Sequence, residues 1–337
     1  MSELDPVLAF GELTPDQMLD AVESSFLSKK GQFADGSFLA LNSYENRVYQ
    51  IGVEDDAPLV AKFYRPARWS DDAILEEHAF TIELADAEIP VIPPLTGPSN
   101  DTLFFHGPFR FALYPCRGGR SLELDNEDHV TQMGRFIARM HNIGATQPFA
   151  HRPGLDPESY VARPSSFLLE RGFIPAHLEE AYDSVVTVLV EHIGYCYERA
   201  GTMSTLRLHG DFHAGNVLWT DDGPHIVDLD DTRSGPAIQD LWMLLSGDRT
   251  YMEHMLKVLL EGYCQFREFN PAELHLVEAL RTMRLVHQSG WMGARWEDPA
   301  FPLAFPWFDT LQYWERHLSD LREQIAAMSE GPLNWDV

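Results

Sequence analysis

The chain has 337 residues, 45% of them hydrophobic, enough for one large domain or two lobes with sizeable cores, which excludes a mainly disordered polypeptide. Its 25 Lys and Arg face 52 Asp and Glu, a formal charge of -27, so the surface repels nucleic acid and anionic lipid and favours neutral or cationic substrates. Three cysteines, Cys116, Cys196 and Cys264, stand far apart with no C-x-x-C pair, which argues against a disulfide framework or zinc knuckle and for a reducing compartment.

The start, Met1-Ser2-Glu3-Leu4-Asp5-Pro6, is acidic and lacks the basic and apolar segments of a secretory signal, so a cytoplasmic protein is expected. Thr14-Pro15-Asp16-Gln17 then opens a helix with an N-cap hydroxyl, a proline at the first helical position and a Gln that completes a capping box; the helix is expected to run to Leu27. Ser37 to Leu41, Arg47 to Val53 and Leu59 to Tyr64 read as strands of an antiparallel meander, the last two separated by the turn-rich Glu54 to Pro58. Ser70 caps a helix through Asp86, with Trp69 placed to staple against Ile74, and Pro90, Pro93 and Pro94 follow its end. Thr102 to His106 and Phe109 to Tyr114 flank Gly107-Pro108 as another strand pair.

From Pro115 the pattern changes, with Gly118-Gly119 as a hinge or linker. Helical periodicity covers Asp128 to Ile143 with apolar Met133, Ile137 and Met140, then Pro175 to Tyr197, Tyr251 to Phe266, Pro271 to Trp296 and Trp307 to Met328. Between the first two lies a long irregular stretch, Ala145 to Ser165, with Pro148, Pro153, Pro157 and Pro164, either functional or a surface crossing. The longest candidate for membrane insertion, Val185 to Val190, is far shorter than the roughly 20 apolar residues of a membrane span. Short strands are expected only at Thr205 to Leu208, Val217 to Trp219 and His225 to Val227, and Trp291, Trp296, Trp307 and Trp314 are expected in the core. The fold class is therefore α+β with two lobes: a small antiparallel-sheet lobe over residues 1–115 and a larger, mainly helical lobe over 116–337.

The chemistry concentrates in Leu208-His209-Gly210-Asp211-Phe212-His213-Ala214-Gly215-Asn216 and, downstream, Ile226-Val227-Asp228-Leu229-Asp230-Asp231. Phosphoryl transfer needs one base and oxygen ligands for a metal at this spacing. Asp211 on a loop can take the proton of an acceptor hydroxyl, while the Asn216 amide oxygen and the Asp228 carboxylate are hard ligands suited to Mg²⁺. Asp230 and Asp231 either add to the metal site or, one or both, face solvent. An ordinary self-capping turn explains any one of these residues but not the set, and a zinc hydrolase built on His209, Asp211 and His213 lacks a good third histidine, His225 being the only nearby candidate.

Lys62, between apolar residues on a strand, needs a partner or a ligand and matches a lysine that holds nucleotide phosphates. Glu76 and Glu77 compete as its carboxylate; Glu77 falls on the inward stripe three residues after Ile74 and is preferred, and an edge-strand solubiliser is the rival reading of Lys62. The segment Leu41 to Arg47 occupies the place of a nucleotide loop without a glycine, leaving backbone amides and the Ser43 hydroxyl to meet phosphates, or Asn42 and Asn46 merely to form turns. Asp240 near a helix start either holds the Asp211 loop in register or is ordinary N-terminal charge.

Taken together, Leu41 to Gln50, Lys62-Phe63-Tyr64-Arg65-Pro66, Ile74 to His78, the Asp211 motif, Val227 to Asp231 and Gln239 to Leu245 resemble the stress response kinase A family. These are bacterial serine/threonine protein kinases of the choline kinase and aminoglycoside phosphotransferase superfamily. The resemblance covers nearly the whole chain and implies a two-lobed kinase-like fold, ATP and Mg²⁺ dependence, Asp211 as proton acceptor, Asn216 and Asp228 as metal ligands and Ser43 at the ATP site. It further implies transfer to serine or threonine of proteins, autophosphorylation and a role under envelope or oxidative stress. The glycine-free loop, and His213 where protein kinases carry a lysine, are shared with the small-molecule branch, so a hydroxylated metabolite or aminoglycoside-like compound is the alternative acceptor. A non-catalytic pseudokinase scaffold is disfavoured because Lys62, Asp211, Asn216 and Asp228 are all present. The expected molecule is a monomer with protein substrates, away from nucleic acid and membrane.

Overall fold

Side-chain caps satisfy the unpaired N–H groups of the first turn at several helix starts. In α1 (Pro15–Val22), Thr14 and Gln17 close the expected capping box, and a π turn, Glu23–Leu27, carries the helix to the expected end. The structure, a computed structural model, describes residues 10 and 13–335; the acidic start, residues 1–6, lies outside the described residues. The chain forms two units. One takes the chain up to Leu122 with Phe149–Arg152 and Ala214–Thr232, and the other takes Glu123–Pro148, Pro153–His213 and the chain from Arg233 onwards.

In the first unit, β1 (Ala34–Ala40), β2 (Arg47–Val53) and β3 (Asp56–Phe63) form the expected antiparallel meander. Helix α2 (Asp71–Asp86) follows, with Ser70 Oγ accepting from Ala73 N at 3.1 Å and Trp69 packed in one cluster with Ile74. The hairpin β4 (Phe104–His106) and β5 (Phe109–Pro115) completes a five-stranded sheet in the order β1-β2-β3-β5-β4. Alternation along a strand sends neighbours to opposite faces. Ala61, Phe63, Phe111 and Leu113 thus enter the main core, where the Phe63 and Phe111 rings stack at 4.9 Å, while Ala112 and Tyr114 join the cluster of Ile74 on the other face. Lys62 lies on that second face, opposite Val48 on one side and Ala112 on the other. It is on a central strand, so the edge-strand reading is excluded.

Five short strands follow: β6 (Arg120–Ser121), β7 (Leu206–Leu208), β8 (Val217–Thr220), β9 (Gly223–Ile226) and β10 (Arg233–Gly235). β6, β8 and β9 make a three-stranded sheet in the first unit, and β7 pairs with β10 in the second.

The second unit is helical: α3 (Glu127–Gly144), α4 (Arg163–Glu170), α5 (Glu179–Ala200), α6 (Gln239–Trp242), α7 (Arg249–Tyr263), α8 (Val277–Ala294), α9 (Ala300–Ala304) and α10 (Leu311–Ser329). The apolar stripe of α3, with Met133, Ile137 and Met140, is buried as its period requires. α3 packs on α7, α4 on α8 and α5 on α10. At the first of these contacts a methyl group on Gly134 would stand 2.1 Å from Leu259 O, and one on Gly262 1.9 Å from Thr131 O. The two backbones touch because neither residue carries a side chain.

Three expectations change, the first being that strands past Pro115 occur only at three segments, since β6 and β10 lie outside them. The stretch expected to be irregular through Ser165 is helical from Glu158, as a π turn Glu158–Ala162 that runs into α4. Of the four tryptophans expected in the core, Trp314 is buried and Trp291 and Trp296 are half-buried, but Trp307 is 45% exposed. No helix among the described residues is long and apolar enough to cross a membrane, and the three cysteines are free.

Candidate active site

Lys62 is buried, and three carboxylates surround its ammonium: Asp230 Oδ1 at 2.9 Å, Asp228 Oδ1 at 3.3 Å and Glu77 Oε1 at 3.5 Å. Burial alone would depress this ammonium. Asp230, then Glu77 and Asp228, outweigh it and hold Lys62 well above the ordinary lysine range. Glu77, not Glu76, faces the lysine. The Glu76 carboxylate instead accepts from the backbone N–H groups of Ala150, His151 and Arg152 at 2.6, 2.8 and 2.8 Å.

Val227 N donates to Asn216 O at 3.0 Å, and past that point the chain turns sharply. Asp228 takes a left-handed conformation, φ 62° and ψ 62°, which L side chains rarely adopt, and a single 3₁₀ turn, Leu229–Asp231, follows. The turn resets the alternation of the strand. Asp230 is therefore buried, leaving Asp231 as the member of the pair partly open to solvent, and the Asp230 Oδ2 pairs with Arg68 Nη1. Burial would raise its carboxyl, but Arg68 and then Lys62 bring it below the usual aspartate value. Asp231 also pairs with Arg68, through Nη2 at 2.8 Å. Arg68 Nε reaches Glu45 Oε1 at 3.8 Å, and Arg65 Nε reaches the same oxygen at 3.2 Å, so the Leu41 to Arg47 loop is tied to this turn.

Within that loop Ser43 Oγ accepts from Asn46 N at 3.3 Å, and Asn46 Oδ1 accepts from Arg65 N at 3.1 Å. Turn formation and a place at the cavity coexist at Ser43. A cavity of about 320 Å³ opens here, with Leu41, Val48, Val60, Ile92, Leu218 and Val227 among its apolar lining and Ser43, Lys62, Glu77, Asn216 and Asp228 among its polar lining. One part of the wall suits a flat apolar group and the other an anion with a cation. Five carboxylates, Glu45, Glu77, Asp228, Asp230 and Asp231, meet four cations, Lys62, Arg65, Arg68 and Arg152. The Asp228 side chain, 56% exposed, is the acid most open to solvent among the carboxylates paired with Lys62, and it shares the cavity with Asn216. One carboxylate and one amide oxygen are hard donors that fit Mg²⁺ arriving with phosphates.

The other unit holds Asp211. Its Oδ1 pairs with Arg284 Nη1 from α8, and His213 Nε2 lies 3.5 Å from its Oδ2. The loop carrying it is held from below by Asp240, fully buried, whose Oδ2 accepts from His209 N at 2.8 Å and Oδ1 from Gly210 N at 2.8 Å. His141 Nε2 lies 3.2 Å from Asp240 Oδ2 and its Nδ1 2.9 Å from Tyr263 OH, while Gln239 Nε2 donates to Gly210 O at 2.8 Å. Asp240 thus orders the loop in addition to any effect of its charge on the helix. His209 is buried, with its ring 5.1 Å from Phe212 in an edge contact. Among the described residues no three His, Cys, Asp or Glu side chains converge as a metal site, which leaves the zinc hydrolase reading without a ligand set.

Of the residues singled out from sequence, Lys62, Glu77, Ser43, Asn216 and Asp228 line the one cavity just described, and Asp211 stands on its own buttressed loop. Arg68, Arg152, His141 and Arg284 were not singled out. The only local signal was at His141, which falls on the inward stripe of α3 four residues after Ile137.

The molecule has well-populated relatives. A sequence model described as "Phosphotransferase enzyme family" matches residues 37–277. The chain is 44% identical over 324 residues to "Stress response kinase A" of Escherichia coli O157:H7, covering 96% of both chains. It is 43% identical over 329 residues to "Serine/threonine protein kinase RdoA" of Salmonella typhimurium, covering 98% of both. Among solved structures, an amicoumacin kinase in complex with AMP-PNP, Ca²⁺ and Ami superposes with a TM-score of 0.73 at 17% identity, covering 97% of both chains. A microcompartment-associated aminopropanol kinase superposes with a TM-score of 0.68 at 16% identity, covering 87% of this chain and 91% of that one. At such identities the two structures speak to fold alone.

Proposed function

Because this chain belongs to the phosphotransferase enzyme family, and within it to the stress response kinase A group, we propose that it is an ATP- and Mg²⁺-dependent protein kinase. It transfers the γ-phosphate to serine and threonine hydroxyls of proteins, its own included, in a stress response. The observation that carries the reading is the cavity of the first unit, where an apolar wall meets Lys62, Asn216 and Asp228. The names of the two relatives, at 44% and 43% identity over nearly their full length, support the protein acceptor and the stress role.

On this reading Leu41, Val48, Val60 and Val227 would enclose the base, and Lys62, held by Glu77, would grip phosphate oxygens. Ser43 and the backbone of its loop would cover them. Asn216 and Asp228 would hold Mg²⁺, which when bound supplies charge neutralisation at the phosphates. Asp211 would take the proton from the acceptor hydroxyl as its oxygen bonds to the γ-phosphorus and the bond to the β-phosphate oxygen breaks. Asp240 would keep Asp211 in register through His209 and Gly210.

Incubation of the pure protein with labelled ATP and Mg²⁺, alone, with protein acceptors and with a pool of hydroxylated metabolites, tests the acceptor. Label on serine or threonine of proteins is expected. Label confined to the metabolite fraction would assign the chain to the small-molecule kinases, and nucleotide binding with no transfer at all would make it a scaffold.

A further inference from the structure

Arg152 lies in the proline-rich crossing that sequence reading leaves without a role, yet its side chain is fully buried. Its Nη2 donates to Glu77 Oε2 at 2.6 Å, its Nε to Ala73 O at 2.8 Å and its Nη1 to Asp230 O at 2.6 Å. The guanidinium carbon also sits 4.3 Å from the centre of the Trp69 ring. These partners are the first turns of α2 and the turn that follows Asp228.

The backbone bearing Arg152 is fixed as well. Glu76 takes three consecutive N–H groups, those of Ala150, His151 and Arg152, and Phe149 meets Phe80 edge-on at 5.4 Å. The adjacent glutamates of α2 thus divide the work: Glu76 seats the segment, and Glu77 receives its arginine. Glu77 has two oxygens, one toward Lys62 and one bound by Arg152. The planar guanidinium holds Glu77 Oε2, Ala73 O and Asp230 O on three donors at fixed angles, in a way that an ammonium cannot.

We propose that Arg152 is a positioning residue of the nucleotide site: by clamping the Glu77 carboxylate to the main chain of Asp230, it sets where Lys62 and Asp228 meet the phosphates. The proposal rests on the phosphotransferase reading of this cavity. Without Arg152, the Glu77 carboxylate would lose the donor that fixes its Oε2, and its charge would fall to Lys62, which Asp230 already holds at 2.9 Å. Both effects weaken the grip on phosphates, and neither touches acceptor binding.

The test is titration of wild type, Arg152→Met and Arg152→Lys with a non-hydrolysable ATP analogue and Mg²⁺, with kinetics on the same preparations and thermal denaturation to fix the folded fraction. We expect the Met variant to bind the analogue at least about tenfold more weakly, with KM for ATP rising in step and KM for the acceptor unchanged. The Lys variant, which keeps a cation over Trp69 but loses the fork, should fold and show the same split to a smaller degree. A purely structural role would lower Tm and the amount of active protein while leaving analogue affinity and KM for ATP at wild-type values in the folded fraction. That result in Arg152→Lys, or in Arg152→Met where it folds, overturns the proposal. If wild type itself binds no nucleotide, the reading of the cavity falls and takes the proposal with it; if wild type binds and the variants bind equally well, the proposal falls alone.

Discussion

Lys62 shows how far a single charge can be specified by its surroundings. It sits on a central strand among three carboxylates, and its removal would leave them facing one another with Arg68 and Arg152 as the remaining cations. Breaking a buried ion pair from one side costs about 3 to 5 kcal/mol. Lys62→Met should therefore lower the unfolding free energy measured in urea by that order and also abolish analogue binding; a variant of unchanged stability would show that the carboxylates relax into solvent. The residue types of this site were legible because each is chemically distinctive at its place. A lysine between apolar strand residues, an Asp and an Asn five apart, and an Asp after a strand announce themselves. The burial of Asp230 was not legible, because the left-handed turn at Asp228 breaks the alternation from which a face is read. Arg152 was hidden for another reason: its partners Glu77, Ala73 and Asp230 lie 75, 79 and 78 residues away in the chain.

Elements were legible where their signals are local. The Thr14 and Gln17 box, the Ser70 cap and the Trp69 staple involve residues three to five apart, and each forms as the sequence implies. The turn and helix from Glu158 to Glu170 escaped because Pro157 and Pro164 look like breakers. Pro157 takes the position before the π turn Glu158–Ala162, where a missing N–H costs nothing, and Pro164 sits where that turn runs into α4. The short strands β6 and β10 pair with partners far along the chain and have no period of their own. The contact of α3 with α7 is another product of the fold, since nothing local says that Gly134 and Gly262 must lack side chains. Gly262→Ala forces a methyl group onto Thr131 O and should destabilise by about 1 to 3 kcal/mol through overpacking, although alanine is the better helix former. Differential scanning calorimetry should show a lower Tm for this variant. A raised Tm would mean that the helices separate without loss.

Across the whole molecule, buried neutral histidines link stability to pH. Burial, then Lys62 and Arg152, pull His78 down to about 3, and burial pulls His317 down to about 4. In the unfolded chain both take up protons near 6.5, so between that pH and the folded values the unfolded state binds more protons. Stability should fall as pH drops below about 6.5 and level off near the folded values, with Asp230 adding loss of the same sign below about 3.8 as its carboxylate is protonated. Urea denaturation of wild type and His317→Asn across pH 7 to 4 checks this, the variant giving the shallower slope; equal slopes would remove His317 from the account. On the proposed function, Asp211 takes the acceptor proton. The most direct test measures label transfer from ATP together with analogue affinity in wild type and Asp211→Asn. Turnover lower by about three orders of magnitude with analogue affinity close to wild type is expected; an Asn variant that transfers phosphate at the wild-type rate would contradict the role of Asp211 as base.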